Sequence, residues 1–128
     1  MLRLLSLFIL FSGLLCFSPL YAQAPINAAQ LESIMQKDKT AQLIDLRTPV
    51  EVKQTGVIPG AKVINFNAPD FSTQVGRLDK KKPVIVYCAA GGRSPRAAQQ
   101  MKQAGFKTIY DYTGGMNDWQ SKGKKTVR

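Results

Sequence analysis

The chain contains no histidine and only two cysteines, Cys16 and Cys88. Without an imidazole, no Cys–His or Ser–His hydrolase site can be assembled, because such sites need that base to activate the nucleophile and protonate the leaving group. Metal sites lose their commonest ligands for the same reason, and two widely separated cysteines make neither a zinc cluster nor a Cys-x-x-Cys redox pair. No cofactor or metal is implied. Internal repeats and low-complexity segments are lacking too. Acidic residues are scarce: 18 Lys and Arg face 8 Asp and Glu, a net charge of +10. The positive residues are scattered apart from Lys80-Lys81-Lys82 and Lys122-Gly123-Lys124-Lys125, and no basic stripe is interleaved with aromatics. Such a surface gives solubility and favours anionic small molecules, acidic partners or lipid headgroups. It does not make a nucleic-acid interface.

Long uncharged runs are lacking with one exception, Leu4 to Phe17, which follows Arg3. It suits the apolar region of a signal peptide, about 7–15 residues, and falls short of the ~20 needed to cross a bilayer. Ser18-Pro19 breaks any helix and Ala22 offers a small residue for cleavage. The sequence therefore predicts a signal peptide over residues 1–22 and one domain over residues 23–128, exported to the periplasm with no stable membrane association once the leader is gone. Cutting after Ala24 would place Pro25 next to the cut. Leu20 fits the site imperfectly, and an uncleaved anchor is the alternative. Cys16 follows bulky Leu15, where a lipoprotein needs a small residue, so it reads as apolar filler of the leader. Removal of the leader leaves Cys88 as a solitary thiol in an oxidising compartment, where thiols are usually paired or avoided. A lone thiol there is either buried and inert or kept for its reactivity.

Beyond the leader, Asn27 to Gln30 has the form of a capping box and opens a helix to about Lys37, with Leu31, Ile34 and Met35 on one face. Ala41 to Leu46 reads as a short buried strand. Thr48-Pro49-Val50-Glu51 is a second capping box opening a brief helix that Gly56 ends. A strand over Ala61–Phe66, a helix over Asp70–Leu78 and a charged turn over Asp79–Pro83 follow. Val84-Ile85-Val86-Tyr87 has the β-branched, apolar character of a central parallel strand. A helix is then predicted to about Ala104, with Ser94 as its N-cap and Pro95 at its first position. A last strand over Lys107–Tyr112 leads to Gly114-Gly115 and a segment carrying Trp119, and the tail from Gly123 to Arg128 reads as disordered. This alternation predicts an α/β layer fold with a mostly parallel sheet.

Cys88 ends the central strand, where ligands bind in open α/β sheets. Ala89, Ala90, Gly91 and Gly92 let the backbone curl so that several N–H groups face one centre, with both glycines candidates for positive φ. Together with the positive end of a helix, such a nest binds anions and stabilises a thiolate. Arg93 adds a fixed charge suited to an oxyanion. Cys88 is the candidate nucleophile, and Ala89, Ala90, Gly91, Gly92 and Arg93 the candidate substrate-binding loop. What remains open is thiolate chemistry without a general base: attack on sulfur, or on a phosphorus or arsenic oxyanion.

Four segments now combine. Leu43-Ile44-Asp45-Leu46-Arg47 with Glu51, Gly56-Val57-Ile58-Pro59-Gly60-Ala61, Val86 to Ser94, and Gly114-Gly115-Met116-Asn117-Asp118-Trp119 together resemble a single-domain rhodanese, of the small periplasmic kind. Val57 stands where the family commonly has histidine. The resemblance spans roughly Ile26 to Trp119 and implies a rhodanese-like three-layer fold. It also implies a thiosulfate sulfurtransferase: Cys88 would take a sulfane sulfur from a small anionic donor, hold it as a persulfide and pass it to cyanide or a thiol. Related phosphatases and arsenate reductases use Cys-x5-Arg, one residue longer than the Cys-x4-Arg here. A carrier that hands its persulfide to a protein partner is the third reading. Asp45, Arg47 and Glu51 read as a structural network, Tyr87 and Trp119 as packing, and a monomer is the default.

Overall fold

A computed structural model describes residues 22–128, so the leader prediction lies outside the described residues except at its boundary, Ala22. Five strands form one parallel sheet. They are β1 (Ala22–Ile26), β2 (Gln42–Asp45), β3 (Lys62–Val63), β4 (Val84–Tyr87) and β5 (Thr108–Tyr112), in the order β1-β5-β4-β2-β3. Five helices connect and cover them: α1 (Ala28–Lys37), α2 (Pro49–Thr55), α3 (Phe71–Val75), α4 (Ser94–Gln103) and α5 (Gly115–Ser121).

The central position of β4 follows from its composition. Val84 and Val86 face one side with Ile44, Leu46 and Ile109 and meet Phe71 and Val75 of α3 and Ala97, Ala98 and Met101 of α4. Ile85 and Tyr87 face the other side with Leu43 and meet Ala28 and Leu31 of α1 and Met116 and Trp119 of α5. A strand buried on both faces has no room for alternation of polar and apolar residues, and all four β4 side chains are buried. The result is three layers, helix–sheet–helix, as the sequence implies. No described helix is long and apolar enough to cross a membrane.

Both capping boxes form. Asn27 Oδ1 accepts from the Gln30 N–H at 2.9 Å while the Asn27 N–H donates to Gln30 Oε1 at 2.9 Å, and Thr48 and Glu51 repeat the exchange. Four expectations are corrected. β1 was not anticipated. The strand expected over Ala61–Phe66 shortens to Lys62–Val63, and the helix over Asp70–Leu78 to Phe71–Val75, since Gly76 follows. The tail is ordered by contacts: Val57 and Val127 exchange N–H···O bonds of 2.8 and 2.9 Å, and the Trp119 indole N–H donates to the Lys125 carbonyl at 2.9 Å.

Candidate active site

Cys88 follows β4 directly, at the carboxyl end of the sheet, and is 1% exposed. Its carbonyl and that of Ala89 do not face the sulfur. They accept the Met116 and Asn117 N–H groups of the first turn of α5, at 2.9 and 3.0 Å. With the carbonyls drawn away, the loop turns its N–H groups inward. The Gly91 N–H donates to the Cys88 sulfur at 3.2 Å, and the N–H groups of Arg93 and Ser94 also face it. Burial is the largest single influence on the thiol and pushes it up, yet the three amides and the Ser94 hydroxyl together outweigh it, and Cys88 ends below its ordinary value. Of the expected loop amides, those of Gly91 and Arg93 thus face the sulfur, joined by that of Ser94.

Two glycines make this loop feasible. Gly91 has φ +87, and a Cβ there would lie 2.5 Å from the Thr113 carbonyl oxygen. Gly115 has φ +62, and its Cβ would lie 2.4 Å from the Cys88 oxygen and 2.6 Å from that of Ala89. Glycine is required by conformation and by space at both positions. Gly92 differs from the expectation: its φ is not positive and a Cβ would meet nothing within 4 Å. Ala89 is half-buried and Ala90 exposed, and the Ala89 carbonyl accepts the Asn117 N–H of α5.

Arg93 is engaged elsewhere than the sequence suggests. Its guanidinium grips Glu51 in a two-point ion pair, Nη1–Oε2 at 2.8 Å and Nη2–Oε1 at 2.7 Å. The pair raises the Arg93 pKa above its ordinary value, to which the nearby Cys88 thiolate also contributes. Glu51, read from the sequence as structural only, thus caps α2 and anchors the loop arginine at once. Arg93 holds Glu51 down to about 2, assisted by Thr48 and opposed by burial.

The sign of the pH effect follows. A carboxylate depressed from 4.5 to about 2 contributes stability that is complete above pH 4.5 and is lost as pH falls toward 2. Its ceiling is roughly 3 kcal/mol, and Glu51→Gln should flatten the acid limb of a urea-denaturation pH series in that window.

Behind the loop, Asp45 and Arg47 are buried at 0% and 1% exposure. Arg47 Nη2 and Nε donate to Asp45 at 2.7 and 2.9 Å, and the Tyr87 hydroxyl donates to Asp45 Oδ2 at 2.7 Å. Burial, then the Asp45 charge, pushes the Tyr87 phenol above its ordinary range. The Tyr87 oxygen accepts the Ile58 N–H at 3.1 Å, which ties down the turn carrying Val57. Asp45 and Arg47 form the structural network expected of them, joined by Tyr87, expected only as packing, whereas Glu51 pairs with Arg93 instead. Sequence reading missed Ser94 as a site residue and Gly115 as a loop support, although the Gly-Gly pair stood in view as a motif. Arg93, in helical conformation, occupies the N-cap place assigned to Ser94, and neither makes a side-chain cap.

A cysteine at the carboxyl edge of a parallel sheet, held below its ordinary pKa by loop amides, is the arrangement that the site presents. Residues 27–122 match the family described as rhodanese-like domain, and the chain belongs to that family as a single such domain. A rhodanese-like/PpiC domain-containing chloroplast protein of Arabidopsis thaliana is 32% identical, across 86% of this chain and 39% of its own length. A sulfurtransferase of Allochromatium vinosum is 29% identical across 80% of this chain and 95% of its own. A thiosulfate sulfurtransferase, GlpE, of Shewanella oneidensis is 32% identical across 66% and 81%. Among solved structures, a rhodanese-related protein of Thermoplasma volcanium superposes with TM-score 0.70 at 30% identity, covering 81% of this chain and 97% of that one.

Proposed function

We propose that the protein is a thiosulfate sulfurtransferase working through a Cys88 persulfide. The observation that carries this reading is the inward-facing amide loop around a thiol held below its ordinary pKa. A Cys88 thiolate lone pair attacks the outer sulfur of thiosulfate. The S–S bond breaks, and its electron pair leaves with sulfite. The persulfide anion then sits among the same N–H groups, an electrostatic stabilisation in place before the reaction. Cyanide, or a low-molecular-weight thiolate, attacks the outer sulfur and expels Cys88 as thiolate. No step requires a proton, which suits a chain without histidine.

Thiosulfate is favoured by the net charge, +10 for the full chain and one less once Arg3 leaves with the leader, and by the relationship to GlpE. Arg93 contributes less than its position suggests, because Glu51 neutralises much of its charge. The Cys-x4-Arg loop, one residue shorter than the Cys-x5-Arg of phosphatases and arsenate reductases, makes a cradle that suits a sulfur atom better than a phosphate or arsenate group. We place the mature protein, a monomer, in the periplasm after loss of residues 1–22; cell fractionation and the intact mass of the recovered chain check this, and a retained leader would overturn it.

The deciding experiment is intact mass of the reduced, desalted protein before and after incubation with thiosulfate. The expected result is a gain of one sulfur atom, absent in Cys88→Ser and removed by cyanide. Absence of any gain on protein with a free Cys88 thiol would overturn the thiosulfate reading. Transfer only from a loaded protein donor would instead make the chain a carrier.

A further inference from the structure

Two buried polar atoms play no part in the chemistry above. Ser94 Oγ and Asp111 Oδ1 are both inaccessible and without a hydrogen-bond partner among the described residues, in residues that are 0% and 4% exposed. Leaving such groups unpaired is costly, and native structures seldom do so without reason. Their placement supplies one. Side chains alternate along a strand, so Asp111 points to the same face as Ile109, the face on which α4 packs. Asp111 lies in register with Val86, and Cys88, two residues beyond Val86, points to that face as well. Strand spacing and rise put the Asp111 and Cys88 Cα atoms about 8 Å apart. Two short side chains at that separation are better joined by an intervening hydroxyl than by direct contact. Ser94, the first residue of α4, supplies the hydroxyl: it acts on the Cys88 thiol and on the Asp111 carboxyl alike.

Ser94 has one hydroxyl proton and cannot give it to both neighbours. If Asp111 is ionised, the carboxylate competes with the sulfur for that proton. If Asp111 keeps its own proton, it can donate to Ser94 Oγ, and the serine proton is free to point at sulfur. We propose that Asp111 is a positioning residue: held neutral, it donates to Ser94 Oγ and so commits the Ser94 hydroxyl to the Cys88 sulfur. The surroundings favour the neutral form. Burial is the dominant influence on Asp111 and raises its pKa, against the Ser94 hydroxyl, which lowers it. β1 sets Pro25 opposite it and carries no titratable side chain, while loss of residues 1–22 puts an α-ammonium at Gln23, two residues away along the strand. β4 brings only Cys88, whose thiolate repels a second negative charge. Of the arginines opening α4, Arg93 is held by Glu51 and Arg96 lies over the Phe66 ring at 5.2 Å. The thiolate and the carboxyl therefore share a single negative charge, in the way a buried carboxylic acid elsewhere is kept protonated to act as a donor.

The test follows the pH dependence of Cys88 alkylation by iodoacetamide in the reduced protein. It rests on Cys88 being the reacting thiolate, but no sulfur donor is present, so failure of the thiosulfate reading would not disturb it. Asp111→Asn keeps a neutral donor in the same place and should alkylate within about twofold of wild type. Asp111→Val and Ser94→Ala each lose the directed hydroxyl, and at pH 6 should react about tenfold more slowly, as for a thiol pKa one unit higher. The double variant should be no slower than either single one, because both remove one relay. An unchanged Asp111→Val profile, Asp111→Asn as impaired as Asp111→Val, or additive losses would each overturn the proposal. Infrared difference spectra give a check that needs no apolar variant. The wild type should show a protonated-carboxyl C=O band near neutral pH that Asp111→Asn lacks, and absence of that band from the wild type would also overturn it.

Discussion

Asp45→Ala should cost about 3–5 kcal/mol of folding free energy, the usual penalty for removing one partner of a buried ion pair. Asp45 accepts the Arg47 backbone N–H, Nε and Nη2 and the Tyr87 hydroxyl. Its loss leaves a guanidinium at 1% exposure with only the Thr55 hydroxyl and the Gly56 carbonyl as close partners, at 2.8 Å each. It also leaves a buried phenol without an acceptor. Loss of the pair as a whole is a different matter, since an apolar replacement carries no stranded charge. Asp45→Ala with Arg47→Met should therefore recover part of the deficit. Urea midpoints at pH 7 measure both, and a single-variant loss below about 1 kcal/mol would mean that water reaches the guanidinium.

Gly115→Ala should be the most damaging single methyl at the site. Its backbone is in the left-handed region, and the added carbon would overlap two carbonyl oxygens. Strain of this kind costs about 1–3 kcal/mol for the conformation alone, and the overlap forces the first turn of α5 away from the loop. The Met116 and Asn117 N–H groups then release the Cys88 and Ala89 carbonyls, and the amides lose their inward aim. Loss of stability of about 2–4 kcal/mol should accompany a rise in the Cys88 pKa, read as at least tenfold slower alkylation at pH 6. Gly92→Ala, with open space around it, is the matched control and should leave both nearly unchanged. Equal behaviour of the two variants would mean that α5 does not set the loop.

The elements that sequence discloses best here are those fixed by local chemistry. Thr48-Pro49-Val50-Glu51 announces its helix start because the capping atoms lie within four residues of each other. β4 announces itself because a doubly buried strand has to be apolar throughout. β1 was silent for the converse reason. Ala22-Gln23-Ala24-Pro25-Ile26 has one β-branched residue and a proline, and only an edge position beside β5 makes it a strand. The Ser94 error has the same origin. Ser-Pro is a sound helix-start signal, but the serine hydroxyl is drawn into the core, and no local pattern records that. Cys88 and its glycine-bearing loop were legible as a turn following a buried strand, whereas the pairing of Arg93 with Glu51 depends on residues far apart in sequence, as does the support that Gly115 gives to Cys88.

β1 joins the sheet through β5 alone, Ala22 facing Thr108 and Ile26 facing Tyr112. The first strand to emerge thus has no partner until nearly the whole chain is available, and its docking is the kind of long-range contact that folds slowly. Until Tyr112 is available, β1 has no sheet partner among the described strands. The same arrangement makes β1 docking the expected last step of refolding, a late clasp between the two ends of the domain.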